Sequence, residues 1–268
     1  MILTVDGVEI FATTGGKPFN PELPLVVFLH GAGFDRSMWA LFSRWFSHHG
    51  YSVLAPDLPG HGRSKGALIS SIPGMADWTI KLIEAAGAKK AGLVGHSMGS
   101  LIALDAAARY PDKVSALSLI GVGGAMPVSP DLLNAARDNN HDAIDMVSIW
   151  GFGFAATLGG SQAPGLWMLG GGQRVLEHDA PGVLHNDLAA CNDYKTAMDA
   201  AAKVTVPTTL ILGERDMMTP LKSGKQLAAA IAGSNQVILP GAGHMLTAER
   251  PDDVLAALKK ANAQPQPA

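Results

Sequence analysis

Apolar positions run continuously through Leu25-Val26-Val27-Phe28-Leu29, and similar runs return at Tyr51–Leu58, Ala91–Gly95, Val114–Val122, Thr208–Gly213 and Gln236–Leu239. Short runs without polar alternation are the signature of strands covered on both faces. The segments after several of them carry helical spacing instead: Ser37–His49, with Trp39, Phe42, Trp45 and Phe46 turned inward, then Ser71–Ala86 and Met98–Tyr110. Gly50 supplies a stop for the first of these helices. Strand and helix in alternation predict a parallel sheet. Ile2–Thr13, broken by Asp6-Gly7, predicts an antiparallel hairpin at its start, for about eight strands in all.

The alternation stops between Gly123 and Pro207, where glycine, alanine and methionine dominate and only helical fragments are discernible. A helical insertion over residues 125–205 is therefore expected, interrupting a core made of residues 1–124 and 206–262. It holds nine acids against four bases, which makes it the acidic part of a chain whose formal charge is −3. Residues 263–268, with two prolines and no apolar period, read as a frayed tail.

Composition narrows the function classes. Hydrophobic residues are 47% and charged residues 16%, which fits a large buried core and excludes bulk disorder. No basic cluster interleaves with aromatics, so nucleic acid is discarded as a partner. No run reaches the roughly 20 apolar residues of a membrane span, and Asp6-Gly7 interrupts any leader-like stretch, so a cytoplasmic protein is expected. The single cysteine, Cys191, permits neither an intrachain disulfide nor a cysteine-rich metal site and reads as packing.

Candidate chemistry begins at Gly95-His96-Ser97-Met98-Gly99, a G-x-S-x-G pattern with a strand before it and a helix after it. A serine on such a turn is held in strained geometry with its hydroxyl projecting, and the flanking glycines remove side chains that would collide with their neighbours. The helix start then offers the Met98 N–H to a developing oxyanion. Serine needs a histidine base, and the base needs a carboxylate. His244, in the glycine-rich loop Gly241-Ala242-Gly243-His244 after the last strand, is the candidate base. His48 and His49 end a helix, His141, His178 and His185 belong to the insertion, and His61 lies in a turn whose glycines indicate a structural role. His30 also reads as structural, and His96 adjoins the serine without facing it.

For the acid, Glu214-Arg215-Asp216 follows the strand at Thr208–Gly213. Asp216 is the choice and Glu214 the competitor, with a surface ion pair to Arg215 as the ordinary alternative for either. The loop after Val114–Val122 offers no carboxylate, which favours Asp216 further. His30-Gly31-Ala32-Gly33-Phe34 follows an early strand and makes the Ala32 N–H the second oxyanion donor. Phe34, Met218 and Met245 adjoin these motifs, and Trp150 with Leu132, Trp167 or Met168 can descend from the insertion, so they are the candidate substrate-binding residues; core packing is the alternative.

With His30-Gly31, Asp57–Ser64, Gly95–Gly99, Asp216 and His244 in this order, the chain resembles the α/β-hydrolase superfamily over nearly its whole length. The resemblance implies a mostly parallel eight-stranded sheet flanked by helices, a helical cap inserted after strand 6, and a Ser-Asp-His triad needing neither metal nor cofactor. It implies a serine esterase or lactonase, and the methionine and aromatic candidates around the site favour small to medium, largely apolar substrates, with the oligomeric state open. Haloalkane dehalogenases and epoxide hydrolases carry aspartate where Ser97 stands, which disfavours those chemistries. Carbon–carbon bond hydrolases, perhydrolases, lyases, cofactor-free oxygenases and non-catalytic ligand receptors share the fold and stay as alternatives.

Overall fold

The computed structural model describes residues 1–160 and 167–262; the tail at 263–268 lies outside them. Strands β1 (Ile2–Val5) and β2 (Val8–Thr13) form the hairpin, with Asp6 and Gly7 both at positive φ in its turn. There follow β3 (Leu25–Leu29), α1 (Ala40–Ser47), β4 (Ser52–Pro56), α2 (Ile72–Ala85), β5 (Ala91–His96), α3 (Met98–Arg109) and β6 (Val114–Ile120). The expected helix at 37–49 opens as a 3-10 turn, Arg36–Trp39, because Asp35 caps it by accepting from the Ser37 N–H. Trp45, expected inward, is only half-buried and stacks on His49, with the Lys259 ammonium over its ring.

After β6 come α4 (Pro130–Arg137), α5 (Asp142–Gly151), α6 (Phe154–Thr157), α7 (Met168–His178), α8 (Val183–Asp193) and α9 (Ala197–Ala201), with no strand among the described residues. The chain returns to the sheet through β7 (Thr208–Gly213), α10 (Leu221–Ala230), β8 (Asn235–Leu239), α11 (Leu246–Glu249) and α12 (Pro251–Ala261).

One eight-stranded sheet results, in the order β1-β2-β4-β3-β5-β6-β7-β8. β1, β2 and β4 pair antiparallel, and every later neighbour is parallel. Alternate residues of β3 show why its sequence is apolar throughout: Leu25, Val27 and Leu29 join the core under α2 and α3, whereas Val26 and Phe28 join the core under α1 and α12. A third apolar cluster lies within the segment after β6 and closes over Phe34 and Met245, which follow strands of the sheet. Among the described residues no helix is long and apolar enough to cross a membrane.

The strand order reverses between β3 and β5, since the chain adds β4 on one side of β3 and β5 on the other. Crevices at such switch points are where sites assemble in open α/β sheets. The loops leaving β3 and β5 are His30–Phe34 and the turn at Ser97, so two candidate motifs meet there for topological reasons.

The start of α3 lies backbone to backbone against the sheet. A Cβ on Gly95 would collide with the Gly99 carbonyl, and one on Gly99 with the Leu29 carbonyl. Gly99→Ala is expected to cost about 3 kcal/mol or more, above the usual range for overpacking because the obstacle is backbone rather than a side chain. A denaturant melt that leaves Gly99→Ala within about 1 kcal/mol of wild type would contradict this packing.

Candidate active site

Ser97 follows β5 with φ 53 and ψ −115, one of three non-glycine residues at positive φ among the described residues, and it precedes α3 directly. Strain of this kind costs roughly 1–3 kcal/mol and persists only where the surroundings impose it. Here the Ser97 N–H donates to the Ile120 carbonyl, and the Ser100 hydroxyl accepts from the Ile120 N–H while reaching the Gly95 carbonyl. β6 and the end of β5 therefore hold the turn. No described hydrogen bond takes up the N–H of Met98 or of Ala32, while the Met98 side chain is buried in the core.

Asp216 and His244 are both buried, and the His244 Nδ1–H donates to Asp216 Oδ2 at 2.8 Å. That bond fixes the tautomer and leaves Nε2 as the basic nitrogen. The Asp216 carboxylate also accepts from the N–H groups of Met218 (2.9 Å) and Thr219 (2.7 Å) and from the Thr219 hydroxyl (2.6 Å). Burial alone would raise its pKa, but the His244 ring and the Thr219 donors outweigh burial and hold the carboxyl below its ordinary value. Glu214, the competitor, instead accepts from the Gly241 N–H at the surface.

The segment after β6 reaches into the His244 loop. The Gly151 carbonyl at the end of α5 accepts from the N–H groups of His244 (2.8 Å) and Met245 (2.9 Å). Buried Glu249 bridges the N–H of Gly153 (3.2 Å) and of Gly243 (3.0 Å). Gly153 and Gly243 approach so closely that a Cβ on Gly243 would collide with the Gly153 nitrogen. His96, beside the serine, donates from Nε2 to the His244 carbonyl at 2.9 Å, its ring 4.9 Å from that of His244. Burial and the neighbouring His244 lower its pKa to about 3, so it is a neutral support.

A cavity of about 190 Å³ unites these parts. Ala32, Ser97 and His244 line it together with Phe34, Trp150, Met218 and Met245, each of which the sequence singles out. Leu132 also lines it, whereas Trp167 and Met168 line a neighbouring cleft. Sequence reasoning misses Met126, Val128, Val147, Leu188 and Met217, which carry no motif. It also misses Thr219, although an Asp-x-x-Thr spacing is a recognisable side-chain-to-backbone turn. Cys191, read as packing, is buried and also forms cavity wall; burial pushes its thiol pKa up, which removes it as a nucleophile. Among the described residues no group of three or more His, Cys, Asp or Glu is arranged to hold a metal ion.

Residues 26–258 match the model of the alpha/beta hydrolase family. The chain belongs to that family. Among curated proteins, this alpha/beta hydrolase is 30% identical over 245 residues to the "Putative carbamate hydrolase RutD" of Klebsiella pneumoniae, covering 84% of this chain and 85% of that one. It is 30% identical over 263 residues to the pimeloyl-[acyl-carrier protein] methyl ester esterase of Neisseria meningitidis, covering 85% and 89%. Its fold matches the enol-lactonase of Burkholderia xenovorans LB400 with a TM-score of 0.88 at 24% identity, covering 98% of this chain and all of the other.

His61, read as structural, is buried and bonded at Nε2 to Asp187 of α8. Burial opposes its charge, but the Asp187 carboxylate overcomes that and raises the pKa to about 9. His30 moves the other way, to about 4, through burial and the nearby His61.

Two measurements follow. Thr219→Val removes a hydroxyl donor from an ionised carboxylate and is expected to lower stability at pH 7 by about 1.5–3 kcal/mol. The loss should shrink on acidification, because a carboxyl with a depressed folded pKa contributes above the unfolded value and gives that up as it protonates. An unchanged melt at pH 7 would remove Thr219 from the Asp216 network. Unfolded His61 releases its proton near 6.5 and folded His61 near 9, so stability is expected to decline between those values by about 3 kcal/mol. His30 and His96, both lowered, act below pH 6.5, while Asp179, raised to about 7, finishes ionising just inside the window and adds only to the early part of the decline. Melting temperatures equal at pH 6.5 and 9 would contradict a charged His61.

Proposed function

We propose that this alpha/beta hydrolase is a serine hydrolase that cleaves carboxylic esters or lactones of small to medium, largely apolar substrates through an acyl-enzyme on Ser97. The observation that carries the reading is the strained Ser97 turn on the wall of the same cavity that His244, bonded to buried Asp216 behind it, also lines. The cavity is lined mainly by methionine, aromatic and aliphatic side chains, which suits an apolar acyl group.

In this mechanism Ser97 Oγ attacks the carbonyl carbon while His244 Nε2 takes its proton. The carbonyl oxygen becomes an oxyanion and accepts from the Ala32 and Met98 N–H groups. Collapse breaks the bond to the leaving oxygen, which receives the proton from His244, and the acyl group stays on Ser97. Water then attacks the acyl carbon with His244 again as base, releasing the acid and restoring the serine. Asp216, ionised and held by four donors, keeps the imidazole oriented and stabilises the imidazolium that each step creates. In this reading residues 125–205 act as a cap over the core formed by 1–124 and 206–262. The ester and lactone names of similar proteins support the substrate class.

The test is hydrolysis of p-nitrophenyl esters from acetate to decanoate by wild type and Ser97→Ala, with fluorophosphonate labelling read by mass spectrometry. Expected are turnover that falls by about a thousandfold or more in the variant and a single label on Ser97. A p-nitrophenyl carbamate run alongside reports whether acyl class is restricted. Absence of both label and turnover would overturn the serine-hydrolase reading.

A further inference from the structure

The turn that presents Ala32 is held from the segment after β6. The Phe34 N–H donates to the Gly31 carbonyl at 3.1 Å, and Gly33 has φ +66 while Ala32 is not at positive φ. These are the marks of a type II turn with Gly31 at its first position and Gly33 at its third. The Ala32 N–H belongs to the Gly31–Ala32 peptide, whose carbonyl is the one that the Phe34 N–H holds, so its direction depends on the turn staying closed. The Gly33 N–H donates at 3.0 Å to Oδ2 of Asp187, which is fully buried on α8. From the sheet side, the Gly31 carbonyl also accepts from His30 Nδ1 at 2.9 Å, and His30 Nε2 accepts from the Leu58 N–H.

Asp187 is itself fixed. Its Oδ2 accepts from His61 Nε2 at 2.8 Å, and His61 Nδ1 lies 3.1 Å from the Pro59 carbonyl. A carbonyl and a carboxylate can only accept, so the ring donates at both nitrogens and is an imidazolium. The other charged groups near it do not compete for the turn. Asp57 is occupied by the N–H groups of Arg36 and Arg63 and by the Arg36 guanidinium, the His30 ring is neutral, and the buried Asp179 Oδ2 has no partner among the described residues.

A buried ion pair is weak ground for stability, since apolar replacements of similar size often do as well. What this one supplies is an outside anchor for the second half of the turn, which keeps the Phe34 N–H on the Gly31 carbonyl and so holds the peptide that carries the Ala32 N–H. Resting on the serine-hydrolase reading, we propose that Asp187, which does not line the cavity, is a positioning residue for the oxyanion hole: with His61 it locks the Gly31–Phe34 turn so that the Ala32 N–H points at the reacting carbonyl oxygen. The helical segment thus completes the catalytic machinery as well as covering substrate.

Charge on that oxygen develops only in the transition state, and one oxyanion donor is worth about 10²- to 10³-fold in kcat. Asp187→Asn and the paired replacement His61→Leu with Asp187→Leu would be assayed on the best p-nitrophenyl ester and for binding of a trifluoromethyl ketone, whose serine adduct carries an oxyanion. The paired replacement guards against an unfolded single variant, because it leaves no lone buried charge. Expected are kcat lower by about 30- to 100-fold, KM within about twofold, and ketone affinity falling in parallel with kcat/KM. Folded variants that keep wild-type kcat and ketone affinity overturn the proposal, and so does a loss confined to KM, which would indicate only a deformed pocket. Failure of the serine reading is separately visible, as wild type without a Ser97 label.

Discussion

Backbone packed on backbone at the start of α3 is the contact on which the remaining geometry depends. Because Gly95 and Gly99 lack side chains, the helix begins against the Leu29 carbonyl rather than a side chain's width above it. That proximity brings the loops leaving β3 and β5 to one point, and the parallel register Leu29↔Gly95 keeps them level. It also leaves Ser97 no room for a relaxed conformation, so the chain takes φ 53 at a residue with a Cβ. The strain is sustained by hydrogen bonds to β6, and through them by the sheet core. A looser elbow would relieve Ser97 and separate it from the Gly31 turn in the same movement.

A second dependence runs from the segment between β6 and β7 back to the sheet. The Gly151 carbonyl grips the backbone of His244 and Met245, Glu249 ties Gly153 to Gly243, and Asp187 ties α8 to Gly33. These are polar, directional contacts between helix residues and the loops of the site. Apolar burial seats the segment, through the cluster around Phe34 and Met245, and hydrogen bonds set its register. Non-directional burial could hold the same helices rotated by some degrees, whereas a carboxylate bound to one N–H and one imidazolium tolerates far less. Glu249 shows the cost of such a device: burial raises its pKa, and its Oε1 has no partner among the described residues.

What the sequence revealed follows from the range of the interaction that decides each feature. β3, β5 and β7 are legible because continuous apolarity is local and both faces of the sheet demand it. Ser97 and the His244 loop are legible because strain and flexibility are written into adjacent glycines. The pairing of Asp216 with His244 was readable only as chemical necessity, since 28 residues separate them and nothing local reports the contact. The Asp187–His61 bond, spanning 126 residues, was not legible at all. His61 reads as a turn residue and Asp187 as one acid among nine in an acidic stretch, and neither has a pattern that names the other. The 3-10 opening before α1 was missed for a smaller reason, in that the Asp35 cap outweighs the apolar period that starts at Trp39.

The acidity of the helical segment also takes on a different meaning once its contacts are known. Counted along the chain, the acids disfavour anionic ligands uniformly. In space they divide, because Asp187 is neutralised by the His61 imidazolium, and Asp179, raised to about 7 by burial, is partly protonated near neutrality. Neither carboxylate lines the cavity, whose wall is made by methionines, aliphatic side chains, Phe34 and Trp150. Any electrostatic bias on substrate therefore acts at the approach to the cavity, where salt screens it. Beside the cavity, the ionised Asp216 sits behind His244, whose ring lines the wall, and the apolar surroundings strengthen the hydrogen bond between them. The shape of that thioether-rich wall is set in good part by the segment between β6 and β7, whose sequence carries the fewest recognisable signals.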